Sequence, residues 1–211
     1  MHRPDRPAQT LSRRLTPLGA IVRGVAAGAV GTAALDLLGY ARFRRGGGDQ
    51  GFLDWESSAG LADWEAAPAP AQVGRRIIEG LFQIKLEPPW ARATNNTMHW
   101  LYGTSWGAAY GVVSASVLRR RGLIAVVFGP AVWASGYVVL PLARLYKPIW
   151  RYDLKTLWVD LSGHLAYGVS TAAVFRALAG GALAGGALAG GALAGGAARH
   201  GVPTSAPDPS E

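Results

Sequence analysis

The sequence predicts an all-α, polytopic membrane protein: a four-helix transmembrane bundle with a short interfacial amphipathic helix. Three observations carry this reading. Half of the 211 residues are hydrophobic and only 16% are charged, against about a quarter charged in soluble domains. Four apolar segments are each long enough to cross a hydrocarbon layer of about 30 Å, which takes about 20 helical residues. Arginine and aromatic residues gather at the ends of those segments, as they do at membrane interfaces.

Residues 1–17 form a basic N-terminal segment containing Arg3, Arg6, Arg13 and Arg14. They lead into the first span, residues 18–40. Ser12-Arg13-Arg14-Leu15 resembles a twin-arginine signal with small residues near Ala29. Arg23, however, interrupts the apolar core of such a signal and the apolar run continues past it, so an uncleaved first helix is expected. Residues 41–96 are an extramembrane loop rich in Gly and Pro, with the acidic, tryptophan-bearing runs Asp54-Trp55-Glu56 and Asp63-Trp64-Glu65. Within the loop, Val73, Ile77, Ile78, Leu81 and Phe82 recur at helical spacing, while Arg75, Arg76, Glu79 and Lys85 take the other side. This amphipathic helix is expected either on the membrane surface, anchored near Trp90, or against the ends of the bundle.

The second span, residues 97–118, holds no charged residue and is closed by Arg119, Arg120 and Arg121. The third, 123–143, carries Pro130 and Pro141, which membrane helices tolerate when neighbours satisfy the freed carbonyls. Tyr146, Trp150 and Tyr152 mark an interfacial connection before the fourth span, 157–178. Residues 179–211 read as a flexible low-complexity tail. Ala-Leu-Ala-Gly-Gly repeats there four times, and glycine costs about 1 kcal/mol per helical position relative to alanine. A fifth, glycine-zipper helix is the other reading of this repeat.

The absence of cysteine excludes disulfides, zinc–thiolate sites and thiol catalysis. The net charge of +8 is read as positive flanking of spans and not as a nucleic-acid footprint. All basic residues except Lys85, Lys147 and Lys155 are arginine. Arg13, Arg14, Arg23, Arg119, Arg120, Arg121 and Arg176 fall at one face. Arg42, Arg44, Arg45, Arg144 and Lys147 fall at the other. The larger group predicts that both termini are cytoplasmic, in a bacterial inner membrane.

Four ionisable residues lie inside the spans away from the basic ends: Asp36, His99, Asp160 and His164. Such residues are costly in lipid and face a bundle interior. Asp36 continues a stripe of Gly24, Gly28 and Thr32 at steps of four. His99 heads Gly103, Gly107 and Gly111. Asp160, His164 and Gly168 share a face with Thr171. Residues four apart lie on one side of a helix, and small-residue stripes are where membrane helices approach closely. With alternating spans, the four ionisable residues fall within about 10 Å of one membrane face, so a single intramembrane polar cluster is expected. The roles weighed for it are interhelical hydrogen bonding that organises the bundle or a ligand-accessible pocket, a proton or ion relay or substrate site, or metal binding. No nucleophile with a base, complete metal triad or phosphate loop can be assembled, so an enzyme is not expected and neither a metal nor a cofactor is assigned. The expected partners are the lipid bilayer and, through small-residue faces, further copies of the chain.

The run Asn96-Thr97-Met98-His99-Trp100-Leu101-Tyr102-Gly103, the proline near the end of the third helix at Pro141, and Gly163-His164-Leu165 resemble the YagU-like family of bacterial inner-membrane proteins, across roughly residues 93–178. The acidic first loop and the repeat tail depart from that pattern. The resemblance implies a four-helix inner-membrane protein of unknown molecular activity linked to acid or stress tolerance, and it names no catalytic residue. A proton-coupled transporter or channel is the alternative function.

Overall fold

Helix α1, Pro17–Arg45, begins where Thr16 caps it: the Thr16 hydroxyl accepts from the Gly19 amide at 3.1 Å, and Pro17 takes a first-turn position that needs no donor. Arg42, Arg44 and Arg45 occupy its last turn, where they complement the helix dipole. The chain then turns at Gly47, whose φ of 90° suits glycine. The structure is a computed structural model and describes residues 15–116 and 121–197. Arg13, Arg14, Arg119, Arg120 and residues 198–211 lie outside the described residues.

The other helices are α2 (Phe52–Glu56), α3 (Ala69–Phe82), α4 (Trp90–Ser116), α5 (Arg121–Leu142) and α6 (Leu154–Ala197), with a 3-10 turn at Ile149–Arg151 before α6. No strand occurs among the described residues. The all-α expectation therefore holds, and each expected span lies mainly within a helix. Among the described residues two segments, Pro17–Arg45 and Leu123–Leu142, are long and apolar enough to cross a membrane. Helix α4 starts well before residue 97 because its first polar turns have partners in the loop. Arg92 donates to the Ser57 carbonyl and hydroxyl, Asn95 to Ser58 and Asn96 to the Ser57 carbonyl, at 2.7–3.0 Å.

Helix α6 does not stop at residue 178. It runs through the Ala-Leu-Ala-Gly-Gly repeat to Ala197, where a flexible linker is expected from composition. Extending a formed helix adds one hydrogen bond per residue without a new nucleus, and alanine and leucine are strong helix formers.

Helix α1 is central, packed on α4 along one side and on α6 along the other, while α5 packs on α6. The spatial order is thus α4, α1, α6, α5. The α1–α4 contact is a run of glycines in antiparallel register. A Cβ added to Gly24 would collide with the Gly107 carbonyl, one on Gly28 would come within 2.8 Å of the Gly107 Cα, and one on Gly111 would strike Ala20. Gly103 faces the Thr32 side chain in the same seam. The α5–α6 contact uses Gly129 and Gly168, with 2.7 Å between an added Gly168 Cβ and the Gly129 Cα. The small-residue stripes thus meet each other within one chain, which is how backbones approach closely where large side chains are absent. Helix α3 lies on α4, with Gly74 against Thr94 and Met98. It buries Ala71 and Gly74 and leaves Leu81 and Phe82 exposed.

Candidate functional site

Helices α4 and α5 flank the α1–α6 pair and touch each other only sparsely, which leaves a cleft between them. Its volume is about 1010 Å³. Helices α1 and α6 contribute its floor, and Ala69, Pro70 and Val73 of α3 lie at its edge. Trp106 and Tyr110 of α4 meet Phe128 of α5, and Phe128 and Tyr110 in turn meet Tyr167 and Phe175 of α6, at centroid separations of 4.7–6.4 Å. Of this aromatic group, Trp106 and Tyr167 line the cleft. The Tyr167 hydroxyl donates to the Gly103 carbonyl at 2.7 Å, joining α6 to α4, and Tyr102 and Ser135 hydroxyls meet across the cleft at 3.1 Å. Arg76 of α3 donates to the Ala143 carbonyl just beyond α5, tying the edge helix to the far wall.

The four ionisable residues expected inside the spans resolve into two pairs at different helix interfaces. Asp36 of α1 and His99 of α4 face each other across the glycine seam, with His99 Nε2 3.0 and 3.1 Å from the two Asp36 oxygens. Asp36 is only 5% exposed. Asp160 and His164 pair within α6: His164 Nδ1 is 3.0 Å from the Asp160 carbonyl oxygen and 3.4 Å from its carboxylate. A carbonyl can only accept, so Nδ1 carries a proton. From α5, Tyr137 and Trp133 approach the Asp160 carboxylate. His99, Asp160 and His164 all line the cleft. The expected single cluster is therefore two pairs on one cavity, because Asp36 points to α4 while Asp160 points to α5.

Sequence reasoning missed Glu56. The loop folds back so that α2 places Glu56 beside the first pair. Trp100 Nε1 donates to Glu56 Oε1 at 3.1 Å, and burial, then the Asp36 carboxylate, push the Glu56 carboxyl above its ordinary range. One donor atom each from Asp36, Glu56 and His99 lie within 4.8 Å of one another. The tertiary fold thus brings together three ligand-type side chains that no sequence motif joins. The only sequence signal was an acidic, tryptophan-bearing run in a loop, with nothing local to say where it lands.

Other cations act on the scaffold. Arg23 donates to the Leu178 and Gly19 carbonyls at 3.3 and 2.9 Å. Arg42 reaches from α1 to the Val159 carbonyl and the Ser162 hydroxyl of α6 at 2.9 and 2.8 Å. In the loop, Trp64 is buried, donates to the Leu86 carbonyl at 3.1 Å and lies beneath the Arg75 guanidinium.

Comparison with known proteins adds no identity: no protein-family model, curated protein or solved structure matches the chain.

Proposed function

We propose that this chain is a non-enzymatic, four-span integral protein of the bacterial inner membrane, resembling the YagU-like family, whose cleft between α4 and α5 binds a small amphiphile. The observation that carries the reading is the cleft itself. Its volume falls near the upper end of ordinary small-molecule sites, about 300–1,000 Å³, and its apolar walls end in a few convergent polar groups, as such sites do. The polar head of the ligand meets Asp160, His164 and Tyr137, and its apolar body lies toward Trp106 and Val132.

The membrane assignment of all four long helices is supported by an inverted distribution of side chains. The α1–α4 seam is glycine, alanine and threonine and α5 meets α6 at Gly129 and Gly168, whereas Val30 and Leu37 of α1, Leu101 and Val113 of α4, Val126 and Val138 of α5, and Val169 of α6 are exposed. A soluble bundle buries its large aliphatics; a membrane bundle packs small residues inside and presents large ones to lipid. Because the glycine stripes are occupied by contacts within one chain, the bilayer is the partner this reading assigns. Both termini are placed in the cytoplasm, and the family resemblance adds a role in acid or stress tolerance.

Quenching of tryptophan fluorescence by a brominated alkylamine, with the protein in nanodiscs, tests the cleft. Quenching is expected to saturate in the wild type and to be lost in Gly136→Leu, since Gly136 lines the cleft and a Cβ there meets nothing within 4 Å. Equal, non-saturating quenching of both proteins would overturn it. A second reading, a proton-coupled transporter or channel, is favoured by the two acid–imidazole pairs beside one cavity. It requires proton flux in liposomes that disappears in His164→Ala while the fold survives.

A further inference from the structure

We propose that Asp36, Glu56 and His99 form a binding site for a first-row divalent cation of the Zn²⁺ or Mn²⁺ type, clamping the first loop onto the α1–α4 seam. The three side chains come from three elements, α1, α2 and α4, so no local pattern brings them together. Carboxylate oxygens and imidazole nitrogens bind such ions at about 2.0–2.2 Å, which puts neighbouring donors about 3.0–3.4 Å apart. The spacing of His99 Nε2 to Asp36, 3.0 and 3.1 Å, already matches, and Glu56 completes a set whose donors lie within 4.8 Å of one another.

Two further features belong to a built site. Both oxygens of Asp36, a side chain more than nine-tenths buried, lean on one ring nitrogen that has a single proton to give. The Glu56 carboxyl lies against the same group, so two carboxyl groups crowd one imidazole, and a cation between the three groups offsets their like charge. The third ligand is also held from behind. Trp100 Nε1 fixes Glu56 Oε1, while Arg92, Asn95 and Asn96 pin Ser57 and Ser58 immediately after it. Such supporting contacts orient metal ligands, and their loss costs about 10–100-fold in affinity. One imidazole with two carboxylates suits a borderline to hard divalent ion and leaves coordination positions for water. The site stands independently of the amphiphile reading, since two of its ligands, Asp36 and Glu56, are not cleft-lining residues.

The test uses the full chain in nanodiscs, stripped with EDTA and titrated separately with ZnCl₂ and MnCl₂. Bound metal is counted by mass spectrometry and affinity is measured by calorimetry. The wild type is expected to hold one ion per chain for at least one of the two metals. Glu56→Gln is expected to lose it while its metal-free thermal unfolding stays at the wild-type temperature or above, because a like charge has been removed beside Asp36. Trp100→Phe is expected to bind about 10–100-fold more weakly. The proposal fails if the wild type holds no ion, if Glu56→Gln binds like the wild type, or if the ion is lost in His164→Ala but kept in Glu56→Gln.

Discussion

Gly24 of α1 and Gly107 of α4 lie back to back, each placed so that a side-chain carbon would run into the other's carbonyl oxygen. The approach leaves no room for any residue but glycine on either side. Gly107→Leu must push the backbones apart, and a destabilisation of about 1–3 kcal/mol or more is expected. Val113 on the same helix is 47% exposed, so Val113→Leu should change little. Thermal unfolding of both variants in detergent checks the difference, and equal midpoints would argue against a glycine seam.

The two acid–imidazole pairs should behave as separate units. In metal-free protein, Asp36→Asn combined with His99→Gln is expected to be non-additive by about 0.5–3 kcal/mol, as contacting residues are. Asp36→Asn combined with Asp160→Asn should be additive within about 0.5 kcal/mol, because these carboxylates face different helices. Denaturation of the two double-mutant cycles decides it; strong coupling between Asp36 and Asp160 would restore a single cluster.

Glu79 of α3 provides a pH-dependent tie outside the proposed spans. Its Oε1 accepts from the Leu86 amide at 3.0 Å and from Arg75 Nε at 3.1 Å, and these contacts hold its carboxyl below the ordinary range. Folding lowers this pKa, so the contribution is fully present above the unfolded value and is lost as pH falls through the folded one. Proteolytic opening of the loop in wild type and Glu79→Gln should therefore differ at pH 7 and converge in acid below the ordinary glutamate range. A difference that grows on acidification would contradict the assignment.

The proposed topology places residue 120 and the C-terminus on the cytoplasmic side. Reporter fusions at Arg120 and Glu211 are both expected to give the cytoplasmic signal; two periplasmic signals would invert the bundle.

Helix identity and the inward faces were legible in the chain because both depend on short-range periodicity. Gly24, Gly28, Thr32 and Asp36 recur at one helical interval, as do Gly103, Gly107 and Gly111, so the close-packing face of each helix follows from residues a turn apart. Gly129 escaped notice because no other glycine stands three or four residues from it along α5. Its role appears only when Gly168 of α6 arrives opposite it. The repeat after residue 178 misled for a related reason: its composition counts glycine penalties but not the helix it extends.

By itself the sequence determined an all-α chain with inward small and ionisable residues, since local propensity and a 3.6-residue period settle which face of each helix is polar. The tertiary structure alone decided that α1 and α6 hold the centre, that α4 and α5 therefore stand apart around a cleft, and that the polar residues divide into two pairs. It also brought Glu56 beside Asp36 and His99. Helix order and the landing point of a long loop depend on contacts between residues far apart in the chain, and no local periodicity encodes them.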